Sequence, residues 1–248
     1  MKFDDHFSHV SDLYARFRPT YPSALFQYLA NVAPSRNIAL DCGTGTGQTA
    51  IGLAQHFQLV VATDASVSQI ANAKKHSRVI YVHSQAENNR IKDQSIDLLT
   101  VSQALHWFDL DAFYSMAKRV LCRNGVIACW CYESFECDPE IERLHRQFKK
   151  DIVGPYWSPK VRLVDDHYLT VAFPFQEFDP EKFMIEMNWT LPDLFGYYES
   201  WSSTQQYRNT NGENPIDKIR DEMSEAWGNP ATIRTLRWPI HMRIGRSA

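Results

Sequence analysis

Between Asp41 and Gln48 the chain reads Asp-Cys-Gly-Thr-Gly-Thr-Gly-Gln, three glycines within five residues in a sequence of 248 that has only 10. Glycines at this density let the backbone turn tightly and approach a ligand where a Cβ would collide. The run Ile38-Ala39-Leu40 ahead of the loop is a compact apolar strand, and Ile51, Ala54 and Phe57 behind it recur at helical spacing. The C-terminal edge of a first strand is where α/β folds bind ligands; a turn that serves packing alone is the alternative. A dinucleotide fingerprint needs its third glycine at position 48, so Gln48 and the acid before the loop both argue against nicotinamide binding. Asp64 ends a second apolar run, Val60-Val61-Ala62-Thr63. A carboxylate at that place accepts both hydroxyls of a ribose, or caps the next helix, a job that Ser66 can also do.

The elements that hold these residues follow from the apolar pattern. Leu25, Leu29 and Val32 give a short helical stripe that stops at Pro34. Leu59 to Ala62, Val79 to Val82, Ile96 to Val101 and Val126 to Trp130 read as buried strands. Val67, Ile70 and Ala71 mark one helix, and Phe113, Met116, Ala117, Val120 and Leu121 mark another that ends at Asn124-Gly125. Strands apolar on both faces, separated by helices, imply a parallel sheet covered on both sides. Beyond Glu133 the rhythm changes. Ile141, Leu144 and Phe148 suggest a helix, after which Pro155, Pro159, Pro174 and Pro180 break up an aromatic-rich stretch. A strand over 183–190 and a helix from Ile216 to Trp227 precede a last strand near 234–244. No linker divides the chain, which reads as one domain: an N-terminal arm and helix over 1–34, a cofactor-type platform over 35–133, a lid or substrate insertion over 134–182, and closing strands and helices over 183–248.

Bulk properties exclude other classes. With 44% hydrophobic and 22% charged residues the chain is not disordered. A net charge of −3 leaves no overall basic field for a nucleic acid. No run of 18 apolar residues is present to span a membrane. The start, MKFDDHFSHV, lacks the apolar core of a secretory signal. Five cysteines, odd in number and without a Cys-x-x-Cys pair, point away from disulfides and zinc and toward a reducing cytoplasm. Of 32 aromatic residues, 16 lie between Trp130 and Trp201, where they either line an acceptor pocket or fill a core. Arg143 and Arg146, three apart on one helix face, either grip an acidic acceptor or are simply solvated. Monomer and homodimer are both open.

The Asp-x-Gly-x-Gly-x-Gly loop, the acid after the second strand and the order of elements resemble the class I S-adenosylmethionine-dependent methyltransferases. Three more segments resemble the type 11, small-molecule group related to trans-aconitate methyltransferase: Tyr14-Ala15-Arg16-Phe17-Arg18-Pro19-Thr20-Tyr21-Pro22, Gln103-Ala104-Leu105-His106-Trp107-Phe108-Asp109 and Trp238-Pro239-Ile240. The place after the fourth strand, Ser102-Gln103-Ala104-Leu105, lacks the Asn/Asp-Pro-Pro-Tyr signature of amino-methylating DNA enzymes.

The resemblance covers nearly the whole chain. It implies a Rossmann-like α/β fold with a seven-stranded, mostly parallel sheet whose last strand is antiparallel, the aromatic insertion serving as a lid. It also implies S-adenosylmethionine as cofactor and methyl transfer to a small-molecule acceptor, a carboxylic acid among the candidates. Position by position, Asp41, Gly43 and Gly45 would line the methionine part, Asp64 would hold the ribose and Ala65 would lie against the adenine. Gln85 would read the adenine edge through its amide carbonyl and Ala86 through its backbone. Gln103 and His106 would lie beside the sulfonium, His106 as a general base or as a structural histidine. Pro19 and Pro22 keep the arm extended, and such a strap could fold over the loop with Arg18 or Tyr14 pairing with the cofactor's carboxylate. A binding protein that transfers nothing, and a nucleotide-dependent oxidoreductase on a similar sheet, are the other readings; Gln48 argues against the second.

Overall fold

The computed structural model describes residues 17–247. At its centre β1 (Ile38–Cys42) lies between β2 (Leu59–Asp64) and β4 (Ile96–Ser102), and the three run parallel. β3 (Val79–His83) extends the parallel set beyond β2, and β5 (Leu121–Cys131) beyond β4. β8 (Arg234–Arg246) then runs antiparallel along β5. Its first half also pairs with β7 (Phe183–Trp189), and its last residues with β6 (Gln176–Glu177). The sheet order is β3-β2-β1-β4-β5-β8-β6. β7 and β8 occupy the two segments expected for closing strands; the two-residue β6 raises the count to eight, against the seven implied.

The strands are apolar throughout because both faces are covered. Successive residues alternate between two cores. Leu98, Val126 and Trp130 pack with α1 (Ser23–Val32) on one side, while Leu99, Ile127 and Cys129 pack with α4 (Leu110–Val120) on the other. In α4 the buried stripe is Phe113, Met116, Ala117 and Val120, the Asp109 carboxylate caps the start by accepting from Ala112 N at 3.2 Å, and Lys118 and Arg119 sit in the last turn. α2 (Gln48–Leu53) and α3 (Val67–Ala71) follow the first two strands.

The insertion begins with α5 (Pro139–Gln147) and passes through short turns, including Pro159–Val161, into α6 (Arg162–Asp165). It is fastened to the sheet. The Lys149 ammonium, 8% exposed, donates to Glu133 at 2.6 Å and to Asp165 at 3.0 Å, while Arg243 on β8 donates to the Tyr168 carbonyl at 3.0 Å. Two further helices outside the expected elements, α7 (Leu191–Glu199) and α8 (Ser202–Asn211), precede α9 (Arg220–Trp227). In α7 Leu191, Leu194, Tyr197 and Tyr198 are buried at helical spacing. Most aromatics of the 130–201 segment are core. Trp130, Phe135, Phe148, Trp189, Tyr197, Tyr198 and Trp201 are all buried.

Strand order reverses at β1, so the connections after β1 and β4 leave toward opposite faces and open a crevice at the strand ends. Among the described residues no helix is long and apolar enough to cross a membrane, and no group of three His, Cys, Asp or Glu side chains is placed to hold a metal ion.

Candidate active site

The glycine loop fills the head of this crevice. Gly43, Gly45 and Gly47 have φ of +67°, +57° and +85°, a region that side chains with a Cβ rarely adopt. Their surroundings differ. A Cβ on Gly43 would stand 2.5 Å from the Ala104 Cβ, and one on Gly47 would run into the Tyr81 ring. At Gly45 it would meet only Gln69 Oε1, at 3.8 Å. Gly43 and Gly47 are therefore required by packing. Gly45 is the glycine that opens onto free space.

That space is a cavity of about 470 Å³. Gly43–Thr46 and Gln48 form one wall, with Asp64, Ala65 and Gln69 beside them. Ser84–Glu87, Ser102–Ala104, Trp107–Asp109 and Ala112 continue the lining, and Tyr21, Tyr132, Ser158 and Lys160 complete it. Of the residues singled out in the sequence, Gly43, Gly45, Asp64, Ala65, Gln85, Ala86 and Gln103 line this one cavity.

Asp64 fixes its upper rim. One carboxylate oxygen accepts from Gly45 N and the other from Ser66 N, both at 2.8 Å, so the glycine loop and the start of α3 are locked to the end of β2. Ser66 caps α3 by accepting from Gln69 N at 3.3 Å. A carboxylate oxygen has two lone-pair sites and can accept more than one hydrogen bond. Asp109 N donates to Glu87 Oε1 at 2.8 Å, joining the loops after β3 and β4. Gln103 stands in the left-handed region at φ +54°, with Nε2 donating to the Tyr132 carbonyl at 2.6 Å. A non-glycine residue held so is strained, and such strain collects at functional sites.

Three residues expected at the cavity are not in its lining. Asp41 is fully buried beneath the loop, where its oxygens accept from Thr44 Oγ1 at 2.5 Å and Thr100 Oγ1 at 2.8 Å. Burial raises its carboxyl pKa to about 7 against the lowering effect of both hydroxyls, and the nearby Asp64 charge adds to the rise. Its place is structural support for the loop. His106, on the turn Leu105–Trp107, is buried with Nδ1 3.1 Å from Tyr168 Oη. Burial, aided by Lys160, lowers its pKa to about 3, so the imidazole is neutral near pH 7. Trp107, the next residue, faces the cavity in its stead. Arg18 donates to the Ser200 carbonyl at 3.2 Å and lies over the Tyr197 ring, which fastens the arm to α7. Tyr14 lies outside the described residues.

The arm nevertheless reaches the cavity through Tyr21, whose ring packs edge-on against Trp130 and Tyr132 with centroids 5.5 and 6.2 Å apart. Lys160 is the sole cation among the described lining residues, and its Nζ donates to the Trp107 carbonyl at 3.2 Å. Lys160 and Gln69 carry no sequence motif. They arrive by the path of the insertion and by the turn of α3. From the 130–201 segment Tyr132, Ser158 and Lys160 touch this space, and Tyr132 is the one aromatic among them in the described lining, so the aromatics of that segment build core rather than pocket.

Residues 40–129 match the family model described as a methyltransferase domain. A Dictyostelium discoideum protein described as a methyltransferase is 30% identical over 252 residues, spanning 99% of this chain and 96% of its own length. A Saccharomyces cerevisiae protein described as an S-adenosylmethionine-dependent methyltransferase is 25% identical over 162 residues, 60% of this chain and 56% of its own. Among solved structures, a type II methyltransferase from Anaeromyxobacter dehalogenans superposes with a TM-score of 0.86 at 37% identity, covering 93% of this chain and 98% of that one.

Proposed function

The chain belongs to the class I S-adenosylmethionine-dependent methyltransferases, and from that premise we propose that it methylates a small-molecule carboxylic acid in the cavity between the glycine loop and Lys160. The observation that carries the reading is Gly45. It is the one loop glycine whose missing Cβ opens onto free space, and the Asp64 carboxylate holds it there. A ribose diol beside that carboxylate and a nucleoside chain along the loop fit this donor set.

In this reading Gly43, Gly45 and their neighbours cradle the methionine part, Asp64 takes the ribose, and Ala65, Gln85 and Ala86 enclose the adenine. Asp41 acts through the loop it supports. Bound S-adenosylmethionine supplies an electrophilic methyl group, and positioning of the nucleophile is the main task left to the protein. A carboxylate nucleophile needs no base, which accords with a neutral His106 behind the lining. Gln103, pinned by the Tyr132 carbonyl, shapes the cavity floor, while Tyr21 and Trp107 exclude water. Lys160, the one cation among the described lining residues, is the group that would meet an acidic acceptor.

The reading is tested in two steps. Calorimetry with S-adenosylhomocysteine should give micromolar-scale binding, whereas nicotinamide dinucleotides should not bind. Labelled methyl groups should then pass to members of a panel of small carboxylic acids and not to the matching amides. Transfer to amides alone would exclude the acid, and binding of the nicotinamide nucleotide alone would exclude the cofactor.

A further inference from the structure

We propose that Gln69 is a second anchor for the cosubstrate's ribose, an amide acceptor working opposite the Asp64 carboxylate. The inference rests on the S-adenosylmethionine reading of the cavity and adds to it a residue that no motif marks. Gln69 is 4% exposed, yet it is part of the cavity wall. Among the described residues its Oε1 is buried without a hydrogen-bond partner. A buried amide oxygen left without a donor is destabilising, so its retention at a cavity wall calls for a donor that the ligand brings.

The position defines which donor. Gln69 Oε1 lies 3.8 Å from the point that a Gly45 Cβ would occupy, and Gly45 N is itself bonded to Asp64. Asp64 and Gln69 therefore flank the same opening. Their relative placement is rigid: Ser66 N bonds to Asp64, and Gln69 N bonds to Ser66 Oγ. The terminal torsion of a glutamine is soft, so the amide can turn Oε1 toward an incoming hydroxyl. Two neighbouring acceptors, one charged and one neutral, suit a vicinal diol, each hydroxyl donating to one of them.

The test is a cycle of calorimetric titrations of the full chain with S-adenosylhomocysteine and its 2′-deoxy and 3′-deoxy forms. Gln69→Met keeps length and bulk but loses the acceptor, and Gln69→Leu replaces it if the first variant melts early. The variant should bind S-adenosylhomocysteine about threefold to tenfold more weakly, the worth of one neutral hydrogen bond. One of the two deoxy forms should suffer the same loss on the wild type and almost none on the variant. Unchanged affinity in the folded variant, or equal losses for each deoxy form on both proteins, would overturn the assignment of Gln69 alone. A folded wild type that binds no S-adenosylhomocysteine would overturn the cofactor reading and this one with it.

Discussion

Asp64 Oδ2 accepts the backbone N–H of Gly45 at 2.8 Å, tying the tip of the glycine loop to the end of the neighbouring strand. In the proposed reading the same carboxylate that shapes the loop also takes the ribose of the ligand. The two roles predict a coupled loss. Asp64→Ala should weaken S-adenosylhomocysteine binding by about 2–4 kcal/mol, roughly 30-fold to 1000-fold, and lower the melting temperature of the free protein as well. Calorimetry and thermal melts separate the two. A variant that melts earlier but binds normally would restrict Asp64 to the loop.

Asp41 makes stability depend on pH in a direction unusual for a carboxylate. Burial lifts its pKa to about 7, whereas in the unfolded chain it stays at about 4. Between these values the folded protein holds a proton that the unfolded chain has released. The contribution is therefore complete below the unfolded pKa and is lost as pH rises through 7. Burial also lowers the pKa of His106 and His145 to about 3, so they act oppositely: their contribution is present above about 6.5 and lost as pH falls. Urea unfolding of wild type and Asp41→Asn at pH 5 to 8 isolates the first effect. The wild type should lose ground relative to the variant as pH rises, and parallel curves would contradict this.

His106 should behave as a strut. His106→Gln breaks its contact with Tyr168 and should cost about 1–3 kcal/mol of stability, while the rate profile between pH 6 and 8 keeps its shape. A hundredfold rate loss with a flattened profile near neutrality would instead restore it as a base.

The cofactor half was legible because its signals are local. The β1 run, the glycine loop, Asp64 and the Ser84–Glu87 segment each announce themselves within a few residues, and the last three line one cavity. What sequence could not supply was the direction of side chains whose partners are remote. Asp41 is turned inward by Thr100, 59 residues away, His106 by Tyr168, 62 away, and Arg18 by Ser200, 182 away. Gln69 lies off the Val67, Ile70, Ala71 stripe that marks its helix, and Lys160 follows a proline-broken stretch with no periodicity. α7 had a readable apolar spacing, but Pro192 at its start reads equally as a break.

Lys160 separates acceptor recognition from cofactor binding. Lys160→Met should raise the KM for a carboxylic acid acceptor about twofold to fivefold, the range of an exposed ion pair, and leave S-adenosylhomocysteine affinity unchanged. Equal effects on both ligands would move Lys160 to the cofactor side of the cavity.

The arm offers a test far from the cavity. Gly196 lies within α7, where an alanine ordinarily stabilises by about 0.5–1 kcal/mol. Here the Phe17 ring occupies the place of the side chain: a Cβ on Gly196 would stand 2.6 Å from its Cε1. Gly196→Ala should therefore destabilise, by about 1–3 kcal/mol, as overpacking does. The displacement should also travel along the chain. Arg18 follows Phe17 onto Ser200 and Tyr197, and Pro19 and Pro22 stiffen the path to Tyr21 in the cavity wall. S-adenosylhomocysteine affinity should fall in Gly196→Ala although no altered atom touches the cavity, and Phe17→Ala added to it should recover stability but not full affinity. A single variant that is stabilised as an ordinary helical alanine would show that Phe17 yields freely, and normal affinity in it would uncouple the arm from the site.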